Sequence, residues 1–246
     1  MPNPTSDLDA IAQRYKLFAK TQAHGISPLY EGLAESVATT ESLLAFLSGL
    51  PVERQQPNLF LGAVRHVCGL ARDATEFAQL VEQNQDAICN IMLSRTTQTN
   101  EPARCAVLLP ALAGLNQPLA LIEVGASAGL CLLPDYYRYD YGHHQIAGVN
   151  AVADGTPEFS CQVNKETPLP KQTPTITWRA GLDLNPLDVG SDEQMAWLET
   201  LVWPEQTDRA TRLRSAIAIA RQNPPNIHRG NLLEDLPRIA ETAPSD

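Results

Sequence analysis

The chain lacks any long apolar run, any cluster of basic residues and any closely spaced pair of cysteines. No stretch reaches the roughly 18 uninterrupted apolar residues of a membrane helix, and the first residues show no basic segment followed by an apolar one. These absences argue against a membrane protein and predict a cytoplasmic location.

Charge and cysteine usage exclude further classes of protein. The 18 Lys and Arg against 28 Asp and Glu give a formal net charge of -10 without the cation clusters that bind a phosphate backbone, so no nucleic-acid partner is expected. The 5 cysteines are odd in number and have no histidine at ligand spacing. We therefore expect reduced, mostly buried thiols and no metal site.

Helical spacing dominates residues 1–116, which we predict to form an all-helical amino-terminal region. Leu43, Leu47 and Leu50 recur at helical intervals before Pro51 ends the pattern. Further helices are predicted over residues 58–70, 74–83, 86–95 and 101–113. Asn100 is predicted to cap the last of these helices, with the alternative that its polar segment reaches a functional site later in the chain.

The pattern changes at the apolar run Leu119–Val124, which is typical of a buried parallel strand. The residues after this run are so small that backbone N–H groups can approach a ligand that a Cβ would block. The segment therefore predicts a cofactor loop. Its candidate cofactor-binding residues are Glu123, Gly125, Ala126, Ser127 and Gly129.

Residues 117–246 are predicted to form an α/β domain with an insertion at 138–174. One of its strands ends at Asp183, at the sheet edge where doubly wound folds bind ligands, so this carboxylate could accept the two hydroxyls of a ribose. The alternatives are a turn or capping role for Asp183, or Asp154 as the ribose ligand. A later short strand is followed by Asn231 in a Gly-Asn turn.

These three segments, in this order, resemble the first motifs of class I S-adenosylmethionine-dependent methyltransferases. The resemblance implies a Rossmann-like sheet and S-adenosylmethionine as cofactor. In that scheme Gly125–Gly129 holds the methionine end, Glu123 orders this loop, Asp183 binds the ribose and Asn231 faces the adenine. Ser127 replaces the family's middle glycine and Asn231 replaces an acid. The resemblance identifies neither a methyl acceptor nor a catalytic residue.

A closer resemblance, over nearly the whole chain, is to an uncharacterised bacterial family of unknown function. Its signature blocks correspond to residues 97–101, 123–130, 139–142, 181–188 and 201–206. This family implies no activity, and it has Asn where this chain has Cys131. Its members continue into a fourth strand, so we expect a sheet that is incomplete at the carboxyl terminus, in a truncated or inactive protein. Leu119–Val124 would then be an exposed edge through which the chain self-associates.

Two other functions stay open. The loop also spells the Gly-x-Ser-x-Gly nucleophile elbow, and Ser127, Asp183 and His228 follow the chain order of a serine α/β-hydrolase. The helical first half and the unexplained Glu123 argue against that interpretation. The remaining alternative is a non-catalytic nucleotide-sensing or scaffold domain, which the expected lack of a fourth strand favours.

Overall fold

The computed structural model of the protein describes residues 4–151 and 154–244, and its first part is helical as predicted. Ser27 and Asp73 begin two of these helices by accepting a hydrogen bond from the backbone N–H three residues on. Among the described residues, no helix is long and apolar enough to cross a membrane. The helices are α1 (Pro4–Phe18, continued by a π-helical turn, Ala19–Ala23), α2 (Pro28–Val37), α3 (Glu41–Ser48), α4 (Pro57–Cys68), α5 (Ala74–Gln83), α6 (Gln85–Ser94) and α7 (Arg104–Ala113).

The described residues up to Gln98, with the later segment Thr200–Thr207, form one compact unit. Its core is organised around Phe60 of α4, which is fully buried. The rings of Tyr15 and Phe77 meet Phe60 edge to face, at centroid distances of 6.4 and 5.4 Å, and Phe46 stacks on it at 5.6 Å. These aromatic contacts join α1, α3 and α5 to α4.

The segment Thr200–Thr207 belongs to this helical unit through two polar side chains. The indole N–H of Trp203 donates to Asn58 Oδ1 at 3.0 Å. Glu205 accepts a hydrogen bond from the Ser27 hydroxyl at 2.6 Å. Residues 203–206, part of one of the five blocks on which the family resemblance rests, therefore pack against the helices of this unit.

The second unit contains a small parallel sheet with the strand order β1-β5-β6 and a separate three-stranded sheet with the order β3-β2-β4. The described part of the chain is thus an α/β protein with a helical amino-terminal region. The remaining elements are β1 (Leu119–Val124), β2 (Arg138–Asp140), β3 (Gln145–Ala147), β4 (Glu158–Ser160), β5 (Ile176–Asp183), α8 (Asp192–Thr200), α9 (Thr207–Gln222), β6 (Ile227–Arg229) and α10 (Leu232–Ala240).

Both strand pairs of the parallel sheet are regular from Ala120 onward, and the pairing of β1 with β5 has a register irregularity between Leu119 and Ala120. β1 pairs with β5 so that Glu123 lies beside Gly181, and β5 pairs with β6 so that Asp183 lies beside Arg229. On one face, α10 covers β5 through Ile239, which is fully buried. The carboxyl ends of all three strands consequently lie at one edge of this sheet.

Three tyrosines at alternating positions form the core of the second sheet. Tyr137, Tyr139 and Tyr141 are all buried, as expected when alternate side chains of an extended segment share one face. Their hydroxyls donate to the carbonyls of Leu130, Pro134 and Ala106, respectively. Because these three rings are buried, they pack in the interior and cannot stack against a ligand at the surface.

A buried ion pair joins the region around the second sheet to the parallel sheet. Arg179 on β5 donates to both carboxylate oxygens of Asp135, at 2.9 and 3.0 Å, and to the Leu132 carbonyl at 2.9 Å. Asn150 donates to the same carboxylate at 2.8 Å. Because the pair is buried, each charge depends on the other for compensation.

We predict that Arg179→Met lowers the free energy of unfolding by about 3 kcal/mol, because it leaves the Asp135 carboxylate buried without a counter-charge. The matched control is Arg72→Met, which breaks the exposed Arg72–Glu76 pair and should leave the free energy of unfolding close to that of the wild type. Urea unfolding of both variants measures the difference. Equal losses would show that the buried pair does not link the two sheets energetically.

Candidate functional site

A cleft of about 340 Å³ lies at the carboxyl edge of the parallel sheet. Each of the three strands contributes to it, and three residues expected from the sequence line it: Gly125 after β1, Asp183 at the end of β5, and Asn231 after β6. Glu123, Ala126, Ser127 and Gly129 do not line it. Parallel strands bring their carboxyl ends to one edge, which is why residues so distant in sequence meet here.

Aliphatic side chains that are open to solvent form the rim of this cleft. Val124, Leu184 and Leu232 are 46%, 74% and 45% exposed, although each is large and apolar. Apolar surface around a few polar groups is typical of small-molecule sites. None of these three residues was predicted from the sequence, although Val124 ends β1 and Leu184 directly follows β5.

The loop Gly125–Gly129, here called the glycine loop, turns sharply through alternating left-handed positions. Gly125, Ser127 and Gly129 have φ values of 74°, 52° and 70°. Gly125 alone is exposed, and a Cβ placed on it would meet nothing within 4 Å. Gly125 is therefore the only position of this loop at which a ligand could touch the backbone in the described conformation.

Most backbone donors of the glycine loop already have partners within the protein. The N–H groups of Gly125 and Ala126 donate to the Leu182 carbonyl, and that of Gly129 donates to the Ala126 carbonyl. Ser127 N–H donates to Asp183 Oδ2 at 2.7 Å. The shape of this loop is therefore set by hydrogen bonds within the protein. The N–H groups of Gly125, Ala126, Ser127 and Gly129 are used in these bonds and do not form a row of free donors for a ligand.

Asp183 fixes two loops at once. Its Oδ2 accepts the Ser127 N–H, and its Oδ1 accepts the Asn185 N–H at 2.8 Å. Each carboxylate oxygen can accept a second hydrogen bond, so this structural role does not prevent contact with a ligand hydroxyl. Asp154, the alternative ribose ligand, lies in a turn between β3 and β4 and is not among the residues that line the cleft.

Asn231 is the N-cap of α10, where its Oδ1 accepts the Leu233 N–H at 3.0 Å. Its own backbone N–H donates to Asp235 at 2.8 Å. A Cβ at the preceding Gly230 would collide with that carboxylate at 2.3 Å. The cap uses the side-chain oxygen of Asn231, so the amide nitrogen is the atom of this side chain left to contact a ligand. This nitrogen can only donate hydrogen bonds.

Asn100 holds the far end of the glycine loop, so its prediction as a helix cap is wrong. The helix begins later, at Arg104, without a side-chain cap. Asn100 is buried and its Oδ1 accepts the Leu130 N–H at 2.8 Å. This polar segment thus contacts the end of the glycine loop, but Asn100 is not among the residues that line the cleft. The neighbouring Glu101 pairs with Arg209 on α9.

Glu123 lies beneath the loop with its Oε2 buried and without a hydrogen-bond partner among the described residues. Burial raises the pKa of Glu123 to about 7, against the opposing effects of the Cys131 thiol and the Arg104 cation. Asp183 and Asn100, and not this oxygen of Glu123, supply the side-chain bonds that order the loop. Glu123 is instead a carboxyl group whose burial favours its neutral form.

We predict that Glu123→Gln abolishes a pH dependence of stability. The carboxyl titrates near 4.5 when unfolded and near 7 when folded, so the native state binds more protons between these values. Wild-type stability should therefore fall as pH rises through this window, by on the order of 2 kcal/mol, and then level off. Urea unfolding at about pH 5 and about pH 8 measures the slope.

The matched control for this experiment is Glu166→Gln, which removes an exposed carboxyl from a loop. This variant should retain the wild-type slope. If Glu123→Gln keeps that slope as well, Glu123 is ionised in the folded protein and the argument from burial fails.

The geometry required of a serine hydrolase is not formed around Ser127. Its hydroxyl is buried and has no hydrogen-bond partner among the described residues. His228 lies on β6 and its ring is 3.4 Å from the Asn226 amide, so it does not contact the hydroxyl as a base would. Asp183 accepts from the backbone of Ser127, not from His228.

We predict that Ser127→Gly changes the free energy of unfolding by no more than about 1 kcal/mol, because glycine accepts the left-handed φ and removes an unpaired hydroxyl. Ser127→Val should cost about 2 kcal/mol or more, since a β-branched residue is strained at that φ. A fluorophosphonate probe should leave the protein unlabelled. Labelling at Ser127 that is lost in His228→Ala would instead identify a hydrolase.

Fold and site together define an α/β protein with a helical amino-terminal region, a small parallel sheet and a cleft at its carboxyl edge. The chain belongs to the family described as "Uncharacterized protein conserved in bacteria (DUF2332)", whose model matches residues 12–246. The resemblance to an uncharacterised bacterial family is thereby confirmed. No curated protein and no solved structure matches the chain.

Proposed function

We propose that this protein binds a nucleoside-type ligand, S-adenosylmethionine or S-adenosylhomocysteine, in the cleft at the carboxyl edge of the parallel sheet. The observation that carries the proposal is the meeting of Gly125, Asp183 and Asn231, from three separate strand ends, in one cleft. Its volume of about 340 Å³ falls in the range of roughly 300 to 1,000 Å³ that is common for small-molecule sites.

The chemistry of the lining matches the parts of such a ligand. The Asp183 carboxylate would accept the two ribose hydroxyls, and the Asn231 amide would donate to an adenine ring nitrogen. Val124, Leu184 and Leu232 would cover the faces of the adenine. At Gly125, the absent Cβ leaves room for the methionine portion.

In this proposal the sheet corresponds to the first three strands of a Rossmann-like, methyltransferase-type sheet. The parallel order β1-β5-β6, with α8 and α9 between β5 and β6, supports it. One departure is clear: the connection from β1 to β5 passes through the second sheet and not through a long helix. That connection is the insertion expected from the sequence.

One observation favours binding without chemistry as the second candidate function. Among the residues that line the cleft, Asp183 is the single ionisable side chain, and it already holds two backbone N–H groups. No free acid or base is therefore available beside the ligand. A nucleotide-sensing or scaffold role needs only the binding step, whereas methyl transfer also needs an acceptor site.

We predict that Leu232→Arg weakens S-adenosylhomocysteine binding at least about tenfold, because it replaces an apolar wall of the cleft by a cation. The matched control is Leu233→Arg at the next position, which is 84% exposed and does not line the cleft. Its affinity should stay within about twofold of wild type. Isothermal titration calorimetry of the three proteins measures both changes.

A further variant tests the ribose contact in the same assay. Asp183→Asn keeps the size of the side chain but loses the charge-assisted bond to ribose, worth about 1.5 to 3 kcal/mol. A folded wild-type protein that gives no heat with S-adenosylmethionine, S-adenosylhomocysteine or adenosine would refute the proposal. Binding of adenosine alone, without the methionine compounds, would keep the nucleoside site and remove the methyl-donor assignment.

A further inference from the structure

The helical unit contains a cavity of about 240 Å³, here called the helical cavity. Arg14, Leu17 and Phe18 of α1 line it, at the intervals that place side chains on one face of a helix. The π-helical turn that continues α1 also contributes to the lining, and such turns occur frequently at functional sites. Pro57 and Asn58 line the cavity from the start of α4. Two helices thus form most of its walls.

Arg14 is the one charged side chain among the residues that line the helical cavity. Its Nη1 donates to Gln55 Oε1 at 3.2 Å, and in the described part of the chain it forms no ion pair. A guanidinium has several N–H donors in a planar fork, so this single bond leaves most of them for a ligand. The cavity therefore favours an anionic ligand.

Two donors of the helical cavity are held in place by other side chains. Gln55, the partner of Arg14, is buried, and its amide donates to the Leu50 carbonyl at 2.9 Å. Asn58 Oδ1 accepts the indole N–H of Trp203 at 3.0 Å, so the amide nitrogen of Asn58 is left to donate to a ligand. Donors that are fixed before binding lose less entropy when a ligand arrives.

The helical cavity also has an apolar part. Phe18 and Pro57 are buried, and the Phe18 ring packs against the Trp203 ring at a centroid distance of 5.7 Å. Leu17 is 61% exposed although it is large and apolar, so it adds apolar surface that a ligand could cover. The volume lies below the roughly 300 Å³ at which drug-sized sites begin, so the ligand must be small.

We propose that the helical cavity binds a small monocarboxylate with a short apolar chain. The carboxylate accepts two N–H groups from the fork of Arg14, the geometry that such pairs frequently adopt, and a further bond from the Asn58 amide. The chain lies along Phe18 and Pro57. A phosphate group carries about two negative charges, which one cation does not balance. The cavity belongs to the helical unit, so this inference does not depend on the ligand proposed for the cleft.

Ligand-observed NMR titrations of the full chain with hexanoate test this site. The matched ligand is hexanamide, which has the same chain without the charge and should bind at least about tenfold more weakly. Arg14→Met should weaken hexanoate binding by a similar factor, because it removes the cation and keeps most of the apolar stem. The control variant is Lys16→Met, which removes an exposed cation of α1 that does not line the cavity. Its affinity should stay within about twofold of wild type.

A second pair of variants tests the site without removing Arg14. Leu17→Glu adds a carboxylate beside the cavity, whereas Leu17→Gln adds a neutral side chain of the same size at this exposed position. The Glu variant should bind hexanoate at least about fivefold more weakly than the Gln variant, because like charges repel. A folded wild type that does not bind hexanoate, or that binds hexanamide or inorganic phosphate as tightly, overturns the proposal. So does equal hexanoate affinity in the two Leu17 variants, or unchanged affinity in a folded Arg14→Met.

Discussion

The carboxylate of Asp183 is the constraint on which the carboxyl edge of the parallel sheet depends. By accepting Ser127 N–H and Asn185 N–H, it ties the loop after β1 to the loop after β5. The glycine loop has three left-handed positions, and ordering it costs conformational entropy. The hydrogen bonds to Asp183 offset part of this cost. With Asn100 fixing its other end, the loop is formed before any ligand arrives, which lowers the cost of binding.

The carboxyl groups of Asp135, Glu101 and Glu123 differ in how their charge is compensated. Asp135 has the bidentate Arg179, and Glu101 has Arg209. Glu123 has no such partner on its buried oxygen, and desolvation raises its pKa to about 7. The first two are structural ion pairs that join elements distant in sequence. Glu123 is the carboxyl group near this loop whose burial favours the neutral form.

Local sequence patterns anticipated much of the fold because their causes are local. Apolar residues at helical intervals and Pro51 were enough to predict the helical region. The apolar run Leu119–Val124 predicted a buried parallel strand, and the parallel strand is found but none of its residues is buried. Small residues in the glycine loop predicted that its backbone could approach a ligand, and in the structure only Gly125 of this loop is exposed for such a contact. Gly125, Asp183 and Asn231 each follow or end a strand, so their presence at one edge also followed from the sheet rule.

The sequence by itself therefore determined the helical region, the strand ends and three of the residues at the cleft, Gly125, Asp183 and Asn231, since each depends on periodicity or on a single turn. Only the tertiary structure decided how these groups are used. It assigned Asn100 to Leu130 N–H and not to a helix, engaged most of the loop's N–H groups internally, and paired Arg179 with Asp135. Such partners are chosen by distance in space, where a hydrogen bond or an ion pair acts over a few ångströms, and sequence separation does not report that distance.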